Sequence, residues 1–175
     1  MKNLMILTSF LALAGCKTEA QKLKISTVYA KPERVEREVP ETGSVHTFTT
    51  LKEVTVRLEP GIFMLAKNKE TLKFRIQGNI YSAGHTIHRV TKIRFEKGEQ
   101  NGNSITLKYY VKIKKNSGKE SAEVRGYNYT KDETYRIPDD VKLIKIELYE
   151  DRTNDPSDAH PKLIAQKTFN FFATI

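Results

Sequence analysis

Apolar and polar residues alternate with a period of two along most of this chain, a pattern that predicts half-buried β-strands rather than helices. The clearest run covers residues 105–114, where Ile105 and Leu107 begin an apolar face and lysines occupy the opposite one. No stretch of 11 residues has helical periodicity. The same alternation predicts further strands at residues 23–27, 54–58, 72–77, 93–95, 144–148 and 169–171.

Clusters of glycine, proline, asparagine and aspartate separate these runs and are typical of turns. Between two of the runs, Gly61 to Lys69 fits either a helical turn or a short strand. Seven to nine strands with one apolar face each predict an all-β fold, an antiparallel β-sandwich of immunoglobulin-like architecture. A lipocalin-like β-barrel is the alternative, because its strands alternate in the same way.

The beginning of the chain has a different pattern. Lys2 is followed by an apolar run from Leu4 to Leu13, and small residues then lead to Cys16. A positive start, a short apolar region and small residues are typical of a secretory signal peptide. The apolar run has about half of the roughly 20 residues that a transmembrane helix needs.

The segment Leu13-Ala14-Gly15-Cys16 resembles the lipobox of bacterial lipoproteins at every position. That resemblance implies removal of residues 1–15, a diacylglycerol group on the Cys16 sulfur and a fatty acid such as palmitate on its new amine. Residues 16–22 would then form a short tether, and residues 23–175 a single domain. Lys17, rather than aspartate, follows the cysteine, and within this resemblance it favours the outer membrane of the cell envelope.

The amino-acid composition limits the partners and the chemistry that we expect of this protein. Lys and Arg number 30 and Asp and Glu 21, which gives a net charge of +9. This excess favours either solubility or attraction to an anionic lipid or polysaccharide surface. No nucleic-acid recognition motif accompanies it, so we expect no nucleic-acid partner. Cys16 is the only cysteine, so the domain that follows has no disulfide and no thiol chemistry.

Two groups of polar residues are candidate metal sites. Glu150, Asp151, Asp155 and Asp158 lie in and beside one predicted loop, and calcium takes oxygen ligands from such loops. The spacing does not match an EF-hand, and a solvated acidic loop is the simpler interpretation. His85 and His88, beside a glycine turn, are weaker metal candidates, and together with His160 they are the histidines to inspect for a catalytic pocket.

Three tyrosines form a candidate binding surface. Tyr127 and Tyr129 share one face if their segment is a strand, and we expect Tyr110 nearby. A tyrosine ring combines a flat apolar surface with a polar tip, which suits contacts with glycans or peptides. Cross-strand packing within a sheet explains the same pattern equally well.

Catalytic motifs are absent from the sequence: there is no nucleophile elbow, phosphate-binding loop or zinc-protease helix. We therefore expect a non-catalytic protein without a cofactor. Anchored by lipid, it would dock on another envelope protein or component, as an accessory subunit, an inhibitor or an immunity protein. The alternative is a lipoprotein that binds a small molecule, lipid, glycan or calcium.

Overall fold

The computed structural model describes residues 22–82, 86–153 and 160–171. Within them the chain forms nine β-strands and no helix. The segment that resembles a lipoprotein signal, Cys16 included, lies outside the described residues. The strands are β1 (Lys24–Val39), β2 (Ser44–Glu53), β3 (Gly61–Lys67), β4 (Thr71–Tyr81), β5 (Thr86–Asn101), β6 (Ser104–Ser117), β7 (Val124–Arg136), β8 (Leu143–Thr153) and β9 (Lys162–Asn170).

These strands form two sheets. The first sheet has the order β2-β1-β7-β4-β3, and the second has the order β5-β6-β8-β9. Their inner faces pack together around one hydrophobic core, to which β4, β6 and β8 contribute the most deeply buried residues. The prediction of a β-sandwich is therefore confirmed, and the barrel alternative is wrong because the strands pair as two separate sheets.

One strand pairing departs from the antiparallel prediction. The strands β6 and β8 are parallel neighbours, with Ser104 beside Leu143 and Lys114 beside Thr153. Between them the chain crosses to the first sheet to form β7 and then returns. The chain runs back along β7, which lies in the first sheet. When it returns to the second sheet, β8 therefore runs in the same direction as β6. The second sheet is therefore mixed.

The core follows the alternation in the sequence. Along β6, the residues Ile105 to Ile113 at every second position are almost fully buried, and the lysines between them lie on the outer face. An edge-to-face contact of 5.7 Å between the rings of Phe74 and Tyr109 joins the two sheets. Burial, together with the nearby carboxylate of Glu133, raises the pKa of Tyr109.

A charged pair also lies on an inner face. Lys131 and Glu133 are separated by one residue on β7 and form an ion pair, with only 12% and 4% of their side chains exposed. In the strand register they lie beside Ile76 and Phe74 of β4. Each charge therefore depends on the other, because an unpaired buried charge is strongly unfavourable.

The predicted strand at residues 54–58 is wrong. This segment is part of a crossover, residues 54–60, from β2 to β3 over the outer face of the first sheet. The side chain of Asn128 accepts a hydrogen bond from the Leu58 amide at 3.0 Å and donates one to the Val56 carbonyl at 2.9 Å. Side-chain hydrogen bonds thus replace a strand ladder, and the alternating Val54 and Val56 point to solvent.

The hairpin of β1 and β2 extends past the sandwich. β1 pairs with β7 only from Lys24 to Tyr29, and from Ala30 onwards it pairs only with β2 among the described strands. We call residues 30–53 the ribbon. A turn closed by the Gly43 amide, which donates to the Val39 carbonyl at 2.9 Å, ends it. Most side chains of the ribbon are exposed.

Candidate functional site

The acidic candidate site begins at the end of β8. Glu150 forms an ion pair with Arg152, and Asp151 forms one with Lys112 of the neighbouring strand β6. Asp155 and Asp158 lie outside the described residues. The two described carboxylates are thus already neutralised by cations of the chain itself. Among the described residues, no cluster of three or more histidine, cysteine or acidic side chains could hold a metal ion.

A small polar pocket lies at the same end of the second sheet. Its volume is about 240 Å³, and it is lined by Glu150, Arg152, His160 and Lys162. Of the three candidate histidines, it contains only His160. His88 lies on β5, where its backbone amide donates a hydrogen bond of 2.9 Å to the Ser82 hydroxyl. His85 lies outside the described residues, and of the two described candidate histidines only His160 lines the pocket.

The three candidate tyrosines do not lie on one surface. Tyr127 and Tyr129 share the inner face of β7, as their spacing predicted, but Tyr129 is only 1% exposed and belongs to the core. Burial raises the pKa of Tyr129. The Tyr127 hydroxyl donates to the Glu120 carboxylate. Tyr110 lies on β6, on the outer face of the second sheet.

Tyr110 has a different aromatic neighbour. Its ring stacks on that of Tyr149 across the parallel pair β6 and β8, with centroids 5.1 Å apart, and Arg94 covers it at 4.3 Å. The Tyr149 hydroxyl donates to Glu147 at 2.7 Å, which with partial burial raises the pKa of Tyr149 to about 12. Burial alone would raise the pKa of Glu147, but hydrogen bonds from Lys145 and Tyr149 outweigh it and hold that pKa low.

The most exposed apolar edge of the sandwich is β3. This strand is the outermost one of the first sheet, and no described strand pairs with its other side. Ile62 points into the core, whereas the consecutive residues Phe63, Met64 and Leu65 are 48%, 54% and 48% exposed. A register shift between Met64 and Ala66 makes Leu65 a bulge. Three large apolar side chains are thus exposed along one unpaired edge, and exposed apolar surface of this kind marks a candidate interaction site.

The far end of β3 is tied to the second sheet. Lys67 donates a hydrogen bond of 2.7 Å to the Asn170 carbonyl, and its ammonium group lies 5.0 Å from the centre of the Phe171 ring. This contact joins the edge strands β3 and β9. The part of the edge that lies away from this contact is residues 61–65.

The sequence contained a signal for this edge. Phe63-Met64-Leu65 is an uninterrupted apolar run in a segment that fitted either a helical turn or a strand. Such a run has no polar face, so its exposure depends on whether a neighbouring strand covers it. That depends on the order of the strands in the sheet, which alternation does not report.

Among the described residues there is no helix with the length and hydropathy needed to cross a membrane. Comparisons with family models, with curated proteins and with solved structures gave no match to this chain.

Proposed function

We propose that this protein is a lipid-anchored, non-catalytic component of a bacterial cell envelope that docks on another envelope protein through the unpaired edge of β3. The observation that carries the proposal is the exposed run Phe63-Met64-Leu65 on an edge strand. The anchor is supported by the lipobox resemblance at Cys16.

The anchor keeps the domain close to a bilayer. Cys16 and Leu23 are seven residues apart, a distance of at most about 25 Å when the chain is fully extended. Two or more acyl chains give stable attachment, because each buried methylene contributes about 0.8 kcal/mol. A partner within reach of this tether would be an envelope protein, and Lys17 favours the outer membrane.

The edge of β3 fits a protein partner better than a small ligand. An extended segment of a partner can add to an unpaired edge strand, so that main-chain hydrogen bonds give affinity and side-chain pockets give specificity. Complete burial of a large apolar side chain contributes about 1.5–3 kcal/mol, so covering each half-exposed residue would contribute about 1 kcal/mol. The bulge at Leu65 limits how far a partner strand can continue.

A second candidate function is binding of a small charged ligand at the pocket beside Glu150 and His160. Four ionisable side chains line this pocket, which favours a charged or polar ligand. Its volume of about 240 Å³ is below the ~300–1,000 Å³ typical of ligand sites. A ligand at 100 times its dissociation constant would stabilise the fold by about 2.7 kcal/mol, which a thermal melt detects.

The test of the docking function is crosslinking in intact cells, followed by capture of the full-length chain and identification of what it carries. Leu65→Asp should abolish capture of a stoichiometric envelope protein. Leu163→Asp is the matched control, since Leu163 is a surface leucine of similar exposure, 43%, on β9. Cys16→Ala is the unanchored control and should also reduce capture.

Equal capture by the Leu65→Asp and Leu163→Asp chains would show that β3 is not the docking edge. Capture that does not depend on Cys16 would contradict the role of the anchor. The identity of the captured protein distinguishes an accessory subunit of an envelope assembly from an inhibitor or an immunity protein.

A further inference from the structure

The outer edge of β1 within the ribbon is unpaired. In the described structure only β2 pairs with residues 31–39 of β1, on one side. An isolated two-stranded ribbon is marginally stable in water, so an extended free edge of this kind needs protection or a partner. This edge is distinct from β3, and the inference below does not depend on the proposed function.

Backbone contacts define which residues of β1 face outwards. The Tyr29 carbonyl accepts from the Val54 amide and the Val39 carbonyl accepts from the Gly43 amide, both on the β2 side. The Ala30 amide donates to the Glu123 carbonyl at 2.7 Å, on the opposite side. The ladder with β2 has no register shift between them. Along a strand, the backbone groups of successive residues point alternately to one side and to the other. The even-numbered residues therefore present their N–H and C=O groups at the free edge.

Pro32 agrees with this assignment. It occupies an even-numbered position, where a missing amide hydrogen breaks no bond to β2. Proline is tolerated in a strand on the side that faces solvent at an edge. The free edge therefore offers the carbonyl of Pro32 and both backbone groups of Arg34, Glu36 and Glu38.

The charges along this edge are self-complementary. The segment reads Lys-Pro-Glu-Arg-Val-Glu-Arg-Glu-Val from Lys31 to Val39. If a second copy pairs with it antiparallel about a two-fold axis at Val35, Arg34 lies opposite Glu36 of the other copy. Glu33 then lies opposite Arg37 of the other copy, and the two Val35 side chains meet on the axis.

The neighbouring registers have fewer complementary pairs and bring like charges together. Even-numbered residues must lie opposite even-numbered residues to form hydrogen-bonded pairs, so the register changes in steps that move the axis by one residue. An axis at Arg34 brings two arginines together. An axis at Glu36 places Arg34 opposite Glu38 but brings two glutamates together on the axis, and it loses the pairs of Glu33 with Arg37. Like charges directly opposite each other destabilise a sheet, whereas opposite charges stabilise it.

We propose that the ribbon joins two copies of this chain, by antiparallel pairing of β1 with β1 about an axis at Val35. The result is a continuous four-stranded sheet, β2-β1-β1-β2, with about six hydrogen bonds between the copies. The pairing ends where Pro40 turns the chain away from the edge.

The side chains on one face of this sheet support the same axis. Val35 lies beside Phe48 of β2, and Phe48 is 48% exposed in a single copy. In the paired sheet the two valines and two phenylalanines form one apolar row across the axis. Glu33 forms an exposed ion pair with Lys52 in a single copy, at 2.9 Å, so the pair of Arg34 with Glu36 is the better one to perturb.

Disulfide formation tests the axis directly in the full-length chain. Residues on the axis form a non-hydrogen-bonded pair with Cα atoms about 4.5 Å apart, which is within the range that a disulfide spans. Val35→Cys should therefore give a disulfide-linked dimer when copper phenanthroline is added to membranes. Thr50→Cys is the matched control, because it lies on the same face but on β2, and the two copies of that strand are about 14 Å apart.

Charge exchange tests the register. In the Val35→Cys chain, Arg34→Glu places carboxylates opposite each other and should remove the dimer, and adding Glu36→Arg should restore it. Circular dichroism confirms that each variant is folded, and the parent chain reports any disulfide that Cys16 makes. Equal dimer yields for Val35→Cys and Thr50→Cys, failure of the exchange to restore the dimer, or an adduct with a different protein would each overturn the proposal.

Discussion

Replacing Asn128 by alanine should destabilise the fold more than any exposed substitution, because one side chain holds the crossover from β2 to β3. Asn128 is 5% exposed and makes three hydrogen bonds: two to the backbone of residues 56 and 58, and one from the Asn79 amide at 3.1 Å. A hydrogen bond contributes about 0.5–1.5 kcal/mol net, so the loss of three has an upper limit of about 4.5 kcal/mol.

The expected loss is smaller than that limit. Val56 is exposed and Leu58 is half-buried, so water reaches their freed backbone groups. We therefore expect the free energy of unfolding to fall by about 2–3 kcal/mol. Urea unfolding of the Cys16→Ala chain, monitored by circular dichroism, measures it, and Asn101→Ala at the exposed end of β5 is the control. A loss below about 0.5 kcal/mol, within the usual range of surface substitutions, would refute this account of the crossover.

Three further predictions concern stability. Lys131→Met should lower the free energy of unfolding in urea by about 3–5 kcal/mol, and adding Glu133→Leu should restore most of that loss. An unchanged free energy of unfolding for Lys131→Met would contradict the burial of the pair. Hydrogen bonds from Arg75 hold the pKa of Asp132 below its usual range. This pair therefore stabilises the fold above pH ~4, and its contribution is lost as the pH falls and Asp132 becomes protonated. Between pH 5 and pH 2 the free energy of unfolding should therefore fall less for Asp132→Asn than for the wild-type chain, by up to about 1 kcal/mol, as unfolding curves will show. Equal falls for the two chains would argue against the pair. Gly126→Ala should destabilise the fold by more than about 1 kcal/mol, because the φ angle is +147° and the new Cβ would lie 2.2 Å from the Ile80 carbonyl oxygen. A thermal melt measures this, and a melting temperature equal to that of the wild-type chain would contradict it.

The strands of the core were predictable because each has one buried and one solvated face. β6 is the clearest case, since its alternation of isoleucine and lysine reports burial directly. The ribbon was not predictable in this way, because both of its faces are exposed and its residues have no apolar period. The crossover misled the prediction, since Val54, Val56 and Leu58 alternate without a strand partner. The backbone groups of Val56 and Leu58 bond instead to the side chain of Asn128, which is 70 residues away in the chain from Leu58.

The candidate sites were less predictable than the fold. Tyr127 and Tyr129 share a face as expected, but that face is the inner one, and alternation does not distinguish inside from outside in β7 because both of its rows carry charged residues. The partner of Tyr110 is Tyr149, which lies on a strand brought beside β6 only by the parallel pairing. The cation that neutralises Asp151, Lys112, is likewise placed by the register of β6 and β8, whereas Arg152 lies two residues from Glu150 on the same strand.

The most direct test of the docking proposal is photo-crosslinking in intact cells from a photoreactive amino acid at position 65. Docking through β3 predicts one discrete adduct with an envelope protein, formed with Cys16 present and reduced in the Cys16→Ala chain. The same photoreactive group at Asp139, in an exposed turn between β7 and β8, should give no such adduct. Equal labelling from positions 65 and 139, or no adduct from either, would contradict the account.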